Sequence, residues 1–305
     1  MEIDKTLLAD LQAQYGVKAL TATPVSGGYM NEKWRVSTDA GELFVKKFHP
    51  ARFNRKQLER MEESLQRQAA IERSGVPTPH LWRHDGQLIR FAAEDLAYMV
   101  MDFRPGRTLL AESVSSSHMR SLGECAGLLH TALAALPAPA DKRIPHFGGC
   151  APTAPRALLA VLPNADAAAA AFELDDSFFT RFPQNWAHED FHNDNILFDG
   201  DALSAIVDFD RCAWSYPAHD VARAVLSFAL EDDGLNAAKI RAFREGYEKH
   251  LPMPHLADAL KLTFCIEAAW WLRPEFMRAD CTPVPKRFVA EMQWLAAHWA
   301  CLGKC

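Results

Sequence analysis

HEDFHNDNILFD, residues 188–199, sets histidines, carboxylates and side-chain amides close together and then turns apolar. A metal site, a hydrolytic relay and a group-transfer loop all draw on such side chains, so spacing has to separate them. His188-Glu189-Asp190-Phe191-His192 spells the H-E-x-x-H string of zinc-binding helices. Two imidazoles at that spacing reach one metal only from a helix face. Asn193, Asp194 and Asn195 are poor helix formers, and ILF followed by DGD reads as a strand running into a turn. The stretch is therefore expected to be a loop, and the zinc reading fails on that ground.

Phosphoryl transfer fits the same residues better. His188-x-Asp190 followed by Asn195 has the H-x-D-x-x-x-x-N spacing in which the Asp orients an attacking hydroxyl and the Asn side-chain oxygen coordinates Mg²⁺. Downstream, Ile206-Val207-Asp208-Phe209 supplies a second carboxylate in an apolar frame, where a charge should be paired with a cation or a metal. Upstream, Ser26-Gly27-Gly28 lies between two strand-like runs and lacks the bulk that would keep a backbone away from phosphates. No G-x-x-x-x-G-K-[ST] string is present, which disfavours a P-loop. Lys46 and Lys47 in FVKKFH alternate between the two faces of a strand, so one of them is the candidate phosphate lysine. Glu62 and Glu63, on the following helix, are both placed to hold it.

The rest of the chain reads as α+β. A helix over roughly Lys5 to Tyr15 precedes the strand-like runs TPVSGGYMNEKWRV and GELFVKKFH, joined by the turn STDAG. RFNRKQLERMEESLQRQAAIERSG is a helix with Leu58, Glu62, Leu65 and Ala69 on one face and Gly75 at its end. LWRHD–GQLIRF and LAYMVMDF add strands. From Leu109 the periodicity is helical, beginning with SHMRSLGECAGLLHTALAAL, for which Ser117 is the expected N-cap. PAPADKRIPHFGGCAPTAP reads as a surface loop before a further helix, RALLAVLPNADAAAAAFEL. The expected organisation is a nucleotide-binding N-lobe over 1–102, with a small antiparallel sheet and one helix, and a mostly helical C-lobe over 103–305 that carries the catalytic loop and acceptor site.

Composition excludes several classes. The 305 residues carry a net charge of −6 with no block of Lys or Arg, so no nucleic-acid partner is expected. MEIDKTLLAD has no basic region and no long apolar run, and no other stretch reaches bilayer length, so neither a signal peptide nor a membrane partner is expected. Seven cysteines without a CxxC pair suit a reducing compartment, hence a cytoplasmic protein, monomeric or homodimeric.

SGGYMNEKWRV, LFVKKFHP, SGVPTP, YMVMDFRPGRTL, LGECAGLLH, HEDFHNDNILFDGD, AIVDFDRCAWSYPAHDVARAV and FREGYEKH resemble, in the family's order, the aminoglycoside phosphotransferase, choline kinase and homoserine kinase group. The resemblance implies a protein-kinase-like two-lobe fold and transfer of the γ-phosphate of ATP, with Mg²⁺, to the hydroxyl of a small molecule. It implies that Lys46 contacts the nucleotide phosphates beside Ser26, Gly27 and Gly28. Glu63 is named as the partner of Lys46, with Glu62 equally placed. Met101, Asp102 and Phe103 would offer backbone hydrogen bonds to adenine, Asp190 would be the catalytic base, and Asn195 and Asp208 would be Mg²⁺ ligands. Asp220, in HDVAR, would brace the loop. The chain departs from the pattern at Glu189, where small-molecule members usually have Gly and protein kinases Arg.

Two rival readings share the architecture. A pseudokinase-like binding module would have lost one of the Lys, Asp, Asn, Asp set, and all four are present. A bacterial protein Ser/Thr kinase would favour an Arg at 189 and a long activation segment; Glu189 and the early Pro217 oppose both, and predict an enzyme active without a phosphorylation switch. ATP is not separated from GTP. For the acceptor, Glu267 precedes Trp270 and Trp271 at helical spacing, an arrangement that could receive a cationic amine.

Overall fold

The computed structural model describes residues 2–25, 31–93, 96–142, 174–271 and 286–302, with the backbone alone for 268–271 and 286. The chain divides into two compact units: Met1–Thr108 with Asp194–Cys212, and Leu109–Asn193 with Ala213–Cys305.

In the first unit, helix α1 (Lys5–Tyr15) starts where the Asp4 carboxylate accepts from the Thr6 amide and stops at Gly16, whose φ of 68° no helix can continue. Strands β1 (Ala19–Pro24), β2 (Glu32–Thr38), β3 (Gly41–Phe48), β4 (Ile89–Ala93) and β5 (Leu96–Asp102) form an antiparallel sheet in the order β1-β2-β3-β5-β4. Leu7 and Leu11 of α1 pack on Trp34, Val36, Val45, Tyr98 and Val100. The opposite set, Phe48, Met99 and Met101, packs on Leu58, Met61 and Leu65 of α2 (Arg55–Ile71). That helix opens with a reciprocal capping box between Asn54 and Gln57. It passes into a short 3₁₀ turn that ends at Gly75, φ 82°.

The hairpin of β7 (Ile196–Asp199) and β8 (Ala202–Ile206) belongs to this unit. Arg107 and Phe198 exchange backbone hydrogen bonds of 2.9 Å, and the Ile206 amide donates to the Pro77 carbonyl. Gly106 permits this approach: its φ is +140°, and a Cβ there would lie 2.4 Å from Ser204 Oγ. Past the hairpin, the Cys212 carbonyl accepts from Ser64 Oγ and Arg67 Nη1 of α2. These ties, not proximity in sequence, are why the unit extends past residue 102 and takes in Asp194–Cys212.

In the second unit α3 (Ser116–Ala134) is capped by Ser115, not by the expected Ser117, because Ser115 and His118 close a capping box. It runs against α6 (Ala237–Tyr247) at backbone distance: a Cβ on Gly123 would sit 2.0 Å from the Phe243 carbonyl oxygen, and one on Gly246 2.1 Å from that of Arg120. Strands β6 (Asn185–Ala187) and β9 (Ala213–Ser215) pair with each other. Helix α5 (Pro217–Ala229), with Pro at its first turn, is buried from Ala218 to Ala229. Its apolar residues share a core with α4 (Asp176–Phe179), α7 (Leu256–Trp271) and α8 (Lys286–His298). The loop and helix expected over PAPADKRIPHFGGCAPTAP and RALLAVLPNADAAAAAFEL fall mostly outside the described residues. No described helix is long and apolar enough to cross a membrane.

Candidate active site

Strand alternation decides which lysine faces the carboxylates. Lys47 turns to Glu32 at 3.5 Å, whereas Lys46 is buried and its Nζ donates to Asp208 Oδ1 at 2.8 Å and Asp210 Oδ2 at 2.6 Å. Burial works against the ammonium, but the attraction of Asp208 and then Asp210 outweighs it and raises the Lys46 pKa. Asp210 moves the other way from an ordinary carboxylate. Burial is the main cause, Asp208 adds to it, Lys46 offsets it only in part, and the pKa rises to about 6.

This corrects the expected partner of Lys46. Glu63 is exposed on its helix and approaches Arg67 at 3.7 Å. Glu62 accepts from the amides of Leu88 and Ile89. Neither holds Lys46. The pair that does sits 162 and 164 residues downstream, beyond any local pattern. Asp210 was missed because in DFD the first carboxylate looked sufficient.

Asp208 has φ 64°, in the left-handed region that Asp tolerates better than most residues, and so turns off the end of β8. The Val207 amide donates to the Asn195 carbonyl at 2.9 Å, setting the two expected metal ligands at the adjoining ends of one hairpin. Asn195, Asp208 and Asp210 offer only hard oxygen donors, a set that suits Mg²⁺, which is usually held by one or two protein groups together with substrate phosphates. Ser26, Gly27 and Gly28 lie outside the described residues. In the segment expected to meet adenine, the amides of Asp102 and Phe103 already donate to the carbonyls of His80 and Glu42, and Met101 is buried in the sheet. The backbone hydrogen bonds expected for adenine would therefore have to come from other groups of this segment.

The loop that carries Asp190 is built in the second unit by a buried carboxylate. Asp220 Oδ2 accepts from the His188 amide at 2.7 Å and Oδ1 from the Glu189 amide at 2.9 Å. His130 Nε2 lies 3.2 Å from Asp220 Oδ2, and its Nδ1 lies 2.8 Å from the Tyr247 hydroxyl. Burial alone would raise the Asp220 pKa; the hydrogen bond from His130, then the charges of His130, His188 and His219, hold it below the usual range. His130 closes the matching string LGECAGLLH but has no role readable from it, since a lone His in GLLHTAL reads as helix core. Glu189 takes φ 65°. A residue in that conformation is what a Gly would supply without strain, so the departure noted at 189 has a backbone meaning. No helix runs beneath His188 and His192, and no group of three or more His, Cys, Asp or Glu side chains placed to hold a metal occurs among the described residues.

Glu267 does not stand ready for an incoming amine. It is buried, with its Oε1 3.4 Å from Arg223 Nε and 3.5 Å from His219 Nε2. The cation it meets is the chain's own. Arg223 also donates to Glu291 Oε2 at 2.9 Å. Burial weakens the guanidinium's charge, but Glu267, Glu291 and Asp190 together raise its pKa. The side chains of Trp270 and Trp271 fall outside the described residues.

Residues 21–253 match the sequence model of the phosphotransferase enzyme family. The chain belongs to that family. A homoserine kinase of Pseudomonas aeruginosa is 26% identical over 219 residues, covering 69% of this chain and 64% of its own. Another, from Methylobacillus flagellatus, is 24% identical over 231 residues, covering 75% and 70%. The chain thus spans 64% of the length of the Pseudomonas relative. Among solved structures, an amicoumacin kinase in complex with AMP-PNP and Ca²⁺ superimposes with a TM-score of 0.69 at 12% identity, covering 99% of this chain and 95% of that one. A microcompartment-associated aminopropanol kinase gives 0.67 at 16%, covering 98% and 99%. The fold is the α+β, protein-kinase-like fold of these phosphotransferases.

Proposed function

We propose that the chain is an ATP- and Mg²⁺-dependent phosphotransferase that moves the γ-phosphoryl group to a hydroxyl of a small molecule, with short amino alcohols the first acceptors to consider. The observation that carries this reading is the seating of Lys46 on Asp208 and Asp210, with Asn195 tied to the neighbouring Val207. Family membership supports the reaction class, and the homoserine kinase and aminopropanol kinase relatives support the acceptor class. Seven cysteines without a CxxC pair support a cytoplasmic location.

In this reading Lys46 neutralises phosphate charge beside Ser26, Gly27 and Gly28. Asn195 and Asp208 would hold Mg²⁺, which when bound offsets the charge spread over the phosphate oxygens. Asp190 orients the acceptor hydroxyl and takes its proton as the new P–O bond forms, while the bond from the γ-phosphorus to the bridging oxygen breaks and ADP leaves. The adenine contacts come from the backbone around Met101 to Phe103, through groups other than the engaged amides of Asp102 and Phe103. A protein-kinase activity is disfavoured: residues 209–216 hold one 3₁₀ turn and strand β9 before α5 begins, with no room for a phosphorylated segment.

The test is nucleotide consumption with Mg²⁺ over homoserine, aminopropanol, choline, aminoglycosides and peptides. Turnover is expected on a small amino alcohol and not on peptides, unchanged by prior phosphatase treatment. Asp190→Asn should lower turnover by about 10²-fold with nucleotide affinity kept. Asp208→Ala should abolish Mg²⁺-dependent nucleotide binding in calorimetry. Near-normal turnover in Asp190→Asn, or robust turnover on peptides alone, overturns the reading.

A further inference from the structure

His192 stands between Asp190 and Arg287, a place that the proposed mechanism does not explain. Its Nδ1 lies 3.1 Å from Arg287 Nη2, and its Nε2 lies 3.3 Å from Asp190 Oδ1. An arginine can only donate, so Nδ1 must accept. The ring therefore carries its hydrogen on Nε2, the nitrogen that faces Asp190. A ring protonated at both nitrogens would set an N–H against a guanidinium. Arg287 is held in its turn, with its Nε 3.4 Å from Glu291 Oε1 one helical turn on. Glu291 is buried and receives Arg223 Nη1 at 2.9 Å, and Arg223 Nε faces Glu267. Helices α5, α7 and α8 thus converge, through paired charges, on the tautomer of one imidazole.

We infer that His192 is a positioning residue for Asp190, and that Arg287 selects the tautomer in which His192 does this work. The inference deepens the proposed function and rests on Asp190 being the base. His192 acts through Asp190: it donates Nε2–H to the carboxylate and fixes its plane. The rest of the cluster holds Arg287 in place. This gives Arg223, Glu267 and Glu291 a common task, and explains why three buried charged side chains stand beside the loop instead of an apolar core. Burying such a set is costly unless every charge is paired; each carboxylate here lies within 3.5 Å of a guanidinium nitrogen, although Arg223 Nε and Glu291 Oε1 complete no hydrogen bond.

The first measurement needs no turnover. In ¹⁵N-labelled protein, the His192 ring should show a protonated Nε2 and an unprotonated, hydrogen-bonded Nδ1 near neutral pH. Arg287→Met should return the ring to a mixture of tautomers. The second is kinetic. His192→Ala should lower kcat on the order of 10²-fold, the scale of a misplaced catalytic group, while KM for nucleotide and acceptor stays within about threefold. His192→Gln, which keeps a donor near the Nε2 position, should recover most of that loss, and Arg287→Met should lower kcat about tenfold. If His192→Ala does not fold, the Gln and Met variants and the wild-type spectrum still decide. A ring protonated on Nδ1, or a near-normal kcat in His192→Ala, overturns the inference. Loss of activity in Asp190→Asn alongside normal activity in His192→Ala would reject this inference and leave the proposed base intact. Normal activity in Asp190→Asn would reject the base itself.

Discussion

Glu189 occupies a left-handed conformation, φ 65°, in the turn that aims Asp190, and its own amide and that of His188 both donate to Asp220. The left-handed region costs an ordinary L-residue roughly 1–2 kcal/mol, part of which Gly would give back through greater freedom in the unfolded chain. Glu189→Gly should therefore leave stability unchanged or raise it by up to about 1 kcal/mol, whereas the β-branched Glu189→Val should lower it by more than about 1 kcal/mol. Urea denaturation of the three proteins checks the order. At Lys46 the stakes are higher. Lys46→Met removes the buried cation between two partly buried carboxylates and should cost about 1–3 kcal/mol, less than a fully buried pair because both carboxylates keep contact with water; a midpoint close to wild type would mean that Asp208 and Asp210 are not held by it. Sequence spacing singles out Asp190, Asn195 and Asp208 as candidates, because that chemistry fixes residue type at short range. It could not find Asp210, His130 or Arg287, whose partners lie far along the chain.

Helix α1 is tied to the sheet by Asp10, which accepts from Arg90 Nε and Nη2, both at 3.0 Å, and from the Tyr98 hydroxyl at 2.7 Å. The hydrogen bond from Arg90 is the main reason the Asp10 pKa falls below 3.8; burial opposes it and Tyr98 assists. A depressed carboxylate stabilises the fold at pH values above its unfolded pKa and loses that contribution as the pH falls through the folded one. Asp10→Asn should accordingly lower stability at pH 7 by about 1–3 kcal/mol, and the gap to wild type should close on acidification below the ordinary value of 3.8. A gap that persists unchanged in acid would show that packing, not charge, holds the helix. Elements were largely legible: α1 runs over the expected Lys5–Tyr15, and Gly75 ends the α2 segment as its position implied. Ser115 was not legible as a cap, since three serines follow one another and only the reach of His118 picks one. The pairs β6–β9 and β10 (Leu230–Glu231) with β11 (Gly234–Leu235) were also missed, because strands of two or three residues carry no alternation to read.

At the scale of the whole chain, the first unit is not a continuous stretch. Residues 1–108 alone lack the hairpin that Arg107 and Pro77 bind, the carbonyl that Ser64 and Arg67 grip, and both carboxylates of Lys46. A fragment of residues 1–108 should therefore show little cooperative unfolding, and joining 194–212 to it through a flexible linker should restore a sigmoidal transition. Equal transitions in the two would show that the hairpin is dispensable. A single cut near residue 102, the division expected from the change in periodicity, misses this because a returning hairpin looks like any other pair of short strands in its own neighbourhood.

The same interleaving sets a timetable for synthesis. Lys46 leaves the ribosome early, whereas Asp208 and Asp210 follow only after the intervening stretch from Leu109 to Asn193, which belongs to the other unit. At about 5–20 residues per second the wait is on the order of 10 s or more. During that time the sheet can form its strands, but the face that will hold Lys46 must stay open to water, since an ammonium without a counter-charge resists burial. The nascent chain is thus held short of completion by one lysine, and the arrival of DFD at residues 208–210 is the event that lets the first unit close.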